Sequence, residues 1–390
     1  MLERVNEGEY ASDELLTRAA ALESRDAGLA SQLVFGTLRY QSQLDFLVEH
    51  FGGRAPGQLE GPVLIALRLG IFQLRYLDRV PTHAAVHETV ELVKHQTRAA
   101  SGLANAILRK VTRDPLRWPG KSIELSCPRW LLRKWTSQFG AEAADGIARA
   151  ALVEPEAYVR VRPGEALPTD AALEPTDVPG CYRVADNPPA GFRFQDISSQ
   201  AIVPLLQLAP GQTFLDLCAA PGNKTVQALE TPLRAVAGDI SERRLRDVPD
   251  VCPRVVLDAA RPLPFRMKFD RVFIDAPCSG TGTLARNPEI KWRVQARNLE
   301  TQQHRQVQIL ERGIEALAPG GLLLYATCSL EAEENGDVVR GVLSRLAVNR
   351  ADKLKPPPAV ELVGEHWRLP GRDKGDGFYA AVIKSGNSGE

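Results

Sequence analysis

From residue 196 to the C-terminus, short apolar runs alternate with helix-like stretches, and no other feature of the 390-residue chain constrains its fold as strongly. The runs at 213–217 (TFLDL), 235–238 (AVAG), 254–257 (RVVL), 271–275 (RVFID) and 321–326 (GLLLYA) are each the length of a strand. Helix-like stretches at 223–230, 241–246, 296–317 and 331–346 separate several of them. Strands joined through helices cannot be hairpin neighbours. They cross over and pair in parallel, so the pattern predicts a sheet covered by helices.

Residues 12–112 show no such alternation. Apolar spacing is helical over 28–51, where Gly52-Gly53 ends it, and again over 61–77, 82–96 and 100–113. Ser12-Asp13-Glu14 predicts a capped helix beginning near Leu15. The 61–77 stretch (GPVLIALRLGIFQLRYL) is apolar on most faces, which marks the central helix of a bundle. Between the two regions, 128–152 reads as helix, EPEAYVRVRP and CYRV read as strands, and 163–191 is rich in Pro, Gly and Asp. The chain is therefore multidomain. The expected parts are an all-α domain over 1–125, a small α/β linker subdomain over 126–190, and a Rossmann-like α/β domain over 191–390.

Composition narrows the function classes. Forty-eight basic residues balance forty-eight acidic ones. A nucleic-acid-binding face would have to be local, hidden in a neutral total. Six cysteines stand at 127, 181, 218, 252, 278 and 328, with no Cys-x-x-Cys pair and no zinc spacing, so no metal is expected. His83 and His87 fall four apart on one predicted helix, a spacing that packing or capping explains better than a metal. The polar N-terminus and the lack of a long apolar run predict neither signal peptide nor membrane span. The expectation is a cytoplasmic protein with reduced thiols.

Ligands of open α/β sheets bind past the carboxyl ends of the strands. Asp216, Asp239, Asp258 and Asp275 all fall at or just after such ends. After the first strand comes a turn of small residues, Cys218, Ala219, Ala220, Pro221, Gly222, Asn223 and Lys224, which lets a ligand approach the backbone. A dinucleotide site needs G-x-G-x-x-G, and only Gly222 is present. A phosphate loop needs two glycines where Cys218 and Asn223 stand. S-adenosylmethionine requires neither nest. Asp239 is placed for its ribose hydroxyls and Asp258 for its adenine amino group. Taken singly, each aspartate could equally be a turn residue or a cap.

Two further turns carry nucleophiles. DAPCSGTG (275–282) follows the fourth run and places Cys278; ATCS (326–329) follows the fifth and places Cys328. A free cysteine is usually a small buried hydrophobe. These two instead sit in turns beside Pro, Ser and Thr. A thiolate can add to carbon 6 of a cytosine, which makes carbon 5 nucleophilic, and can later leave again. Asp275 in a partly dry pocket is the candidate proton or hydrogen-bond donor to the ring nitrogen. Around these turns Arg286, Lys291, Arg293, Arg297 and Arg305 make a locally basic stretch suited to phosphates, and Trp292 could stack on a base or pack in a core.

At these residues the chain resembles the Sun family of RNA cytosine-5 methyltransferases. The similarity lies in LDLCAAPGNKT (215–225), DAPCSGTG (275–282), RNPEIKW (286–292), YATCS (325–329), FQDISSQ (194–200) and DGFY (376–379). The resemblance implies that Cys328 is the nucleophile, that Cys278 serves product release, and that S-adenosylmethionine lies against Cys218 to Lys224, Asp239, Asp258 and Asp275. Asn223 stands where the family has a second glycine. LRLGIFQL (67–74), LDRVPTHAAVHETV (77–90) and GLANAILR (102–109) are similar to the helical domain related to NusB. That fusion is the layout of bacterial 16S rRNA cytosine-5 methyltransferases. It implies a monomer acting on 16S rRNA, or on a small ribosomal subunit precursor, with cytosine 967 as the target. Methylation of tRNA or of another rRNA site, and a non-enzymatic antitermination-type RNA-binding factor, are the competing readings; a protein methyltransferase would have no use for a thiol nucleophile.

Overall fold

The computed structural model describes residues 1–167, 172–186, 191–351 and 359–386, so part of the Pro- and Gly-rich 163–191 stretch lies outside it. The chain forms two compact units. One is Met1–Glu154 with Leu284–Arg293; the other is Pro155–Thr283 with Val294–Glu390.

The first unit is helical. Its centre is the helix Gly61–Tyr76, which starts with Pro62 in its first turn and buries Val63, Ala66, Leu67, Ile71, Phe72 and Leu74. A helix apolar around most of its circumference must be enclosed. Leu44, Leu47, Val93 and Ile107, from the helices Gln41–Gly52, Thr82–Gln96 and Ser101–Leu108, complete that core. The helices Arg129–Phe139 and Ala141–Ala150 belong to the same unit.

Two helix boundaries differ from the sequence reading. The stretch 28–51 is two helices, Ser24–Arg39 and Gln41–Gly52, broken at Tyr40. The helix expected near Leu15 begins earlier, at Ala11, with no side-chain cap from its own neighbourhood. The Ala11 N–H instead donates to Oε1 of Glu289, 3.1 Å away. A carboxylate from the distant 284–293 segment caps the helix, which local sequence cannot reveal.

The second unit holds two sheets. The smaller one is antiparallel: β1 (Tyr158–Arg160), β2 (Ala172–Pro175), β3 (Cys181–Asp186) and β4 (Arg193–Phe194) stand in the order β2-β3-β1-β4. The larger contains β5 (Thr213–Asp216), β6 (Arg234–Asp239), β7 (Arg254–Val256), β8 (Phe269–Asp275), β9 (Leu317–Thr327), β10 (Val360–Arg368) and β11 (Phe378–Ser385). Their order is β10-β11-β9-β8-β5-β6-β7. The five predicted runs are β5 to β9, and they pair in parallel. Helices Ala296–Ala316 and Gly336–Ala351 belong with one face, whose core includes Ile274, Ile309, Ile314, Leu323 and Val338. Phe214, Phe273, Leu324 and Val382 fill the other.

The antiparallel pair β10 and β11 was not anticipated. β11 (FYAAVIKS) is buried along nearly its whole length, the mark of an interior strand, while β10 alternates like an edge strand. In register, Asp275 of β8 faces Ala326 of β9, and Asp216 of β5 faces Phe273 of β8 and Ala237 of β6. The carboxyl ends of β5, β6, β8 and β9 therefore open on one rim.

Candidate active site

The rim begins at the turn after β5. Asp216 is 1% exposed. Its carboxyl accepts from Thr225 Oγ1 at 2.7 Å and from the Cys218 N–H at 3.3 Å. Burial is the main reason its pKa is pushed up to about 7. Burial also drives the Cys218 thiol well up, and Asp216, Asp275 and Asp239 act in the same direction, so Cys218 is an inert thiol in the turn. Gly222 has φ +100°, a left-handed conformation that suits glycine, and its α-carbon faces Val248 closely. Asn223 opens the helix Asn223–Ala228. Its side chain is no passive substitute for glycine: Oδ1 accepts from Arg193 at 3.0 Å and Nδ2 donates to the Phe194 carbonyl at 3.0 Å, tying the turn to β4.

At the end of β6, Asp239 is held by two backbone donors, Ala220 N–H at 3.1 Å and Ser241 N–H at 2.9 Å, one on each oxygen. A carboxylate has about four lone-pair sites, so an oriented group with acceptor capacity remains for hydroxyls. The turn of small residues and this fixed acceptor suit the sugar of S-adenosylmethionine. Asp258, just past β7, is engaged differently. Arg305 Nη2 donates to its Oδ1 at 2.9 Å and the Ala260 N–H at 3.1 Å.

The two turns that carry the candidate nucleophiles meet past the ends of β8 and β9. Lys224 Nζ donates to Asp275 Oδ2 at 2.6 Å and sits 5.2 Å from the centre of the Phe378 ring. Burial works against the Lys224 charge, yet Asp275, Cys328 and Asp216 outweigh it and hold the ammonium above its usual range. The Sγ atoms of Cys278 and Cys328 are 3.4 Å apart. The hydrogen bond with Cys328 and burial, then the charges of Cys328 and Glu334, drive the Cys278 thiol well up. Either sulfur can donate in this contact, and the direction of the shift favours a protonated Cys278.

A buried polar frame fixes both turns. Glu334 is fully buried. Its Oε1 accepts from the Ser279 N–H at 2.8 Å and from Gln306 Nε2 at 3.1 Å, and its Oε2 from Ser279 Oγ. Gln306 also holds the Pro277 carbonyl at 2.8 Å. Ser279 and Thr281 meet Ser329 Oγ at 3.2 and 3.3 Å. The Gly282 N–H donates to the Cys328 carbonyl at 2.8 Å, and the Gly377 N–H to the Gly282 carbonyl at 2.8 Å. A Cβ on Gly282 would lie 2.3 Å from the Gly377 oxygen, so only glycine allows this approach.

The sequence reading missed Glu334 and Gln306, and gave Ser329, inside the ATCS turn, no role of its own. Glu334 lies in LEAEEN, a charge run that reads as a solvated surface, and nothing local signals its burial. The expected basic stretch also resolves differently. In the helical unit, Lys291 is buried and donates to the Arg39 carbonyl at 2.8 Å; Trp292 Nε1 donates to the Leu38 carbonyl at 2.8 Å; Arg293 serves the carbonyls of Val5, Gly8 and Glu9. Arg305 is taken by Asp258. Of these groups only Arg297 is exposed; Arg286 is half-buried. Among the described residues no group of three or more His, Cys, Asp or Glu could hold a metal ion, and no helix is long and apolar enough to cross a membrane.

Comparison with known proteins agrees with both units. Residues 203–384 match the 16S rRNA methyltransferase RsmB/F family model and residues 1–113 match the NusB family model. Ribosomal RNA small subunit methyltransferase B of Klebsiella pneumoniae subsp. pneumoniae is 33% identical over 419 residues, covering 98% of this chain and 96% of its own. The crystal structure of PH0851 shares the fold with a TM-score of 0.75 at 20% identity, over 93% of this chain and 91% of that one. NSun6 from Pyrococcus horikoshii, crystallised with SFG, has a TM-score of 0.55 at 17% identity, over 67% of this chain and 99% of its own. With a NusB-type helical unit and a doubly covered methyltransferase sheet matched along nearly its whole length, the chain belongs to the ribosomal RNA small subunit methyltransferase B family, whose methyl donor is S-adenosylmethionine.

Proposed function

We propose that this protein methylates carbon 5 of one cytosine in 16S rRNA, the position corresponding to cytosine 967, through a covalent adduct on Cys328. The observation that carries the reading is the pair of thiols 3.4 Å apart, one of which is held protonated. Cys218 to Lys224, Asp239, Asp258 and Asp275 form the cofactor cradle in this reading. In this reading the helical unit contributes RNA binding and the second unit the transferase; the expected 126–190 subdomain is divided, its helices Arg129–Phe139 and Ala141–Ala150 belonging to the first unit and β1 to β3 to the second.

The bond changes follow from the residues. The target base, flipped out of its stack, presents carbon 6 to Cys328. The thiolate adds there, the C5=C6 electron pair shifts toward carbon 5, and the ring nitrogen takes a hydrogen bond or proton from the Lys224–Asp275 pair. S-adenosylmethionine, which Cys218 to Lys224 and Asp239 would hold, would give its methyl group to the now nucleophilic carbon 5 and leave as S-adenosylhomocysteine. A water beside Cys278 accepts the carbon 5 proton, the double bond re-forms, the C6–S bond breaks, and a proton taken by the ring nitrogen returns to the Lys224–Asp275 pair. The Cys278 thiol, donating to the departing sulfur, stabilises the Cys328 thiolate as it leaves. Both sulfurs finish as they began.

Bisulfite sequencing of ribosomal and transfer RNA with and without the gene tests the reading. One 5-methylcytosine in small-subunit rRNA should disappear with the gene. Loss of a tRNA mark in its place would move the substrate, and an unchanged map would sink the proposal.

A further inference from the structure

The helical unit contains a cavity of about 1030 Å³ that the transferase chemistry does not use. Tyr40 and Tyr76 stand together in its lining, stacked with ring centres 4.5 Å apart and planes 27° from parallel. Arg25 and Arg79 line it too, both exposed and free of hydrogen bonds and ion pairs among the described residues. Arg39 lines it more deeply, is 8% exposed, and has a buried Nε without a hydrogen-bond partner. Burial lowers the Arg39 pKa by more than Glu154 and Tyr40 raise it, so this cation lacks a full counter-charge. Glu154 and Asp26 add acceptors to the same lining.

Stacked rings, guanidinium groups short of anions and acceptor carboxylates are the groups that bind an unstacked nucleotide. Rings take the base face, arginines the phosphates, and carboxylates an exocyclic amino group. The volume falls at the upper end for small-ligand pockets and leaves room for one nucleotide. We propose that this cavity captures a single unpaired nucleotide of the substrate RNA, away from the methylated cytosine.

The cavity is also tied to a segment near the reacting thiols in sequence. Arg39 Nη2 donates to the Ala285 carbonyl at 2.8 Å and the Arg39 carbonyl accepts from Lys291. Residues 284–293 directly follow the turn that carries Cys278 and Gly282. A nucleotide that draws on Arg39 therefore acts on the anchor of that segment.

The inference rests on the proposed RNA substrate, and its test separates the two. Full-length protein is irradiated with a small-subunit rRNA transcript carrying 4-thiouridine, and crosslinked peptides are mapped by mass spectrometry. In parallel, methylation kinetics are measured for Arg25→Ala/Arg79→Ala, two exposed sites whose loss leaves the core intact. We expect crosslinks on the peptides bearing Tyr40 or Tyr76, and a KM for RNA raised about tenfold with kcat unchanged, in line with one stacked, charge-held base. Crosslinks confined to other regions together with an unchanged KM overturn the cavity proposal while methylation stands. If the wild-type protein methylates no RNA, the proposed function fails by itself, and the crosslink map alone still decides the cavity.

Discussion

Cys278 and Cys328 have sulfur atoms 3.4 Å apart but stand in opposite electrostatic surroundings. Cys278 feels the buried carboxylate of Glu334. Cys328 interacts with the ammonium of Lys224. The hydrogen bond with Cys328, burial and the Glu334 carboxylate all favour a proton on Cys278. A thiol that holds its proton suits release, the role proposed for Cys278, a division that spacing along the chain cannot supply.

Removing each sulfur in turn should produce opposite results. Cys278→Ala takes away the donor to the departing thiolate, so RNA should accumulate as a covalent adduct that survives a denaturing gel. Cys328→Ala should form none. An adduct with Cys328→Ala would mean that the two roles are reversed.

Glu334 should behave as a positioning residue with a signature on Cys278. Glu334→Ala leaves the Ser279 N–H and Gln306 without their buried acceptor, at a cost of about 2–4 kcal/mol measured by urea unfolding. Glu334→Gln keeps an acceptor and removes the charge. The folded state should survive with methylation slowed about tenfold. Losing an anion lowers the Cys278 pKa, so Cys278 should react faster with iodoacetamide at pH 8 than in the wild type. An unchanged alkylation rate would show that Glu334 acts on folding alone.

The parallel half of the sheet was legible because each strand is a short apolar run bounded by helical sequence, and the aspartates at the strand ends follow from that topology. The site was legible only where turns carry unusual residues in order. What escaped depends on distance. Glu334 looks like surface charge until β9 and the helix Ala296–Ala316 enclose it. Glu289 caps the helix Ala11–Arg18 across most of the chain, and Lys291 and Arg293, basic in sequence, are consumed by carbonyls of the helical unit. Charge is additive in a sequence, but its availability is fixed by tertiary partners.

Gly282 should tolerate no side chain. Its N–H and carbonyl join the Cys328 turn to Gly377, and an added Cβ would lie 2.3 Å from the Gly377 oxygen. Gly282→Ala must push these backbones apart, with an overpacking cost of about 1–3 kcal/mol. The same displacement separates the two thiols, so methylation should fall by more than the loss of folded protein explains. Normalising activity to the folded fraction, read by circular dichroism, checks this. Full normalised activity would show that the turns need not be held together.

Lys291 gives the helical unit a stability that depends on pH. Burial lowers its pKa to about 7 from an ordinary value of 10.5, while the Arg39 carbonyl accepts its proton in either charge state. Between these values the unfolded chain binds a proton that the folded chain does not, so stability rises with pH across the window. Below pH 7 the folded unit carries a buried ammonium and the full penalty. Above the unfolded value the penalty is gone. The span corresponds to a change on the order of 5 kcal/mol. Lys291→Met replaces the ammonium with an apolar chain of similar length and should abolish this slope, making the variant the more stable one at pH 6. Hydrogen exchange along the helix Gly61–Tyr76, followed from pH 6 to pH 10 and corrected for intrinsic rates, reads the local unfolding energy. Parallel slopes in the two proteins would place the Lys291 ammonium in contact with water.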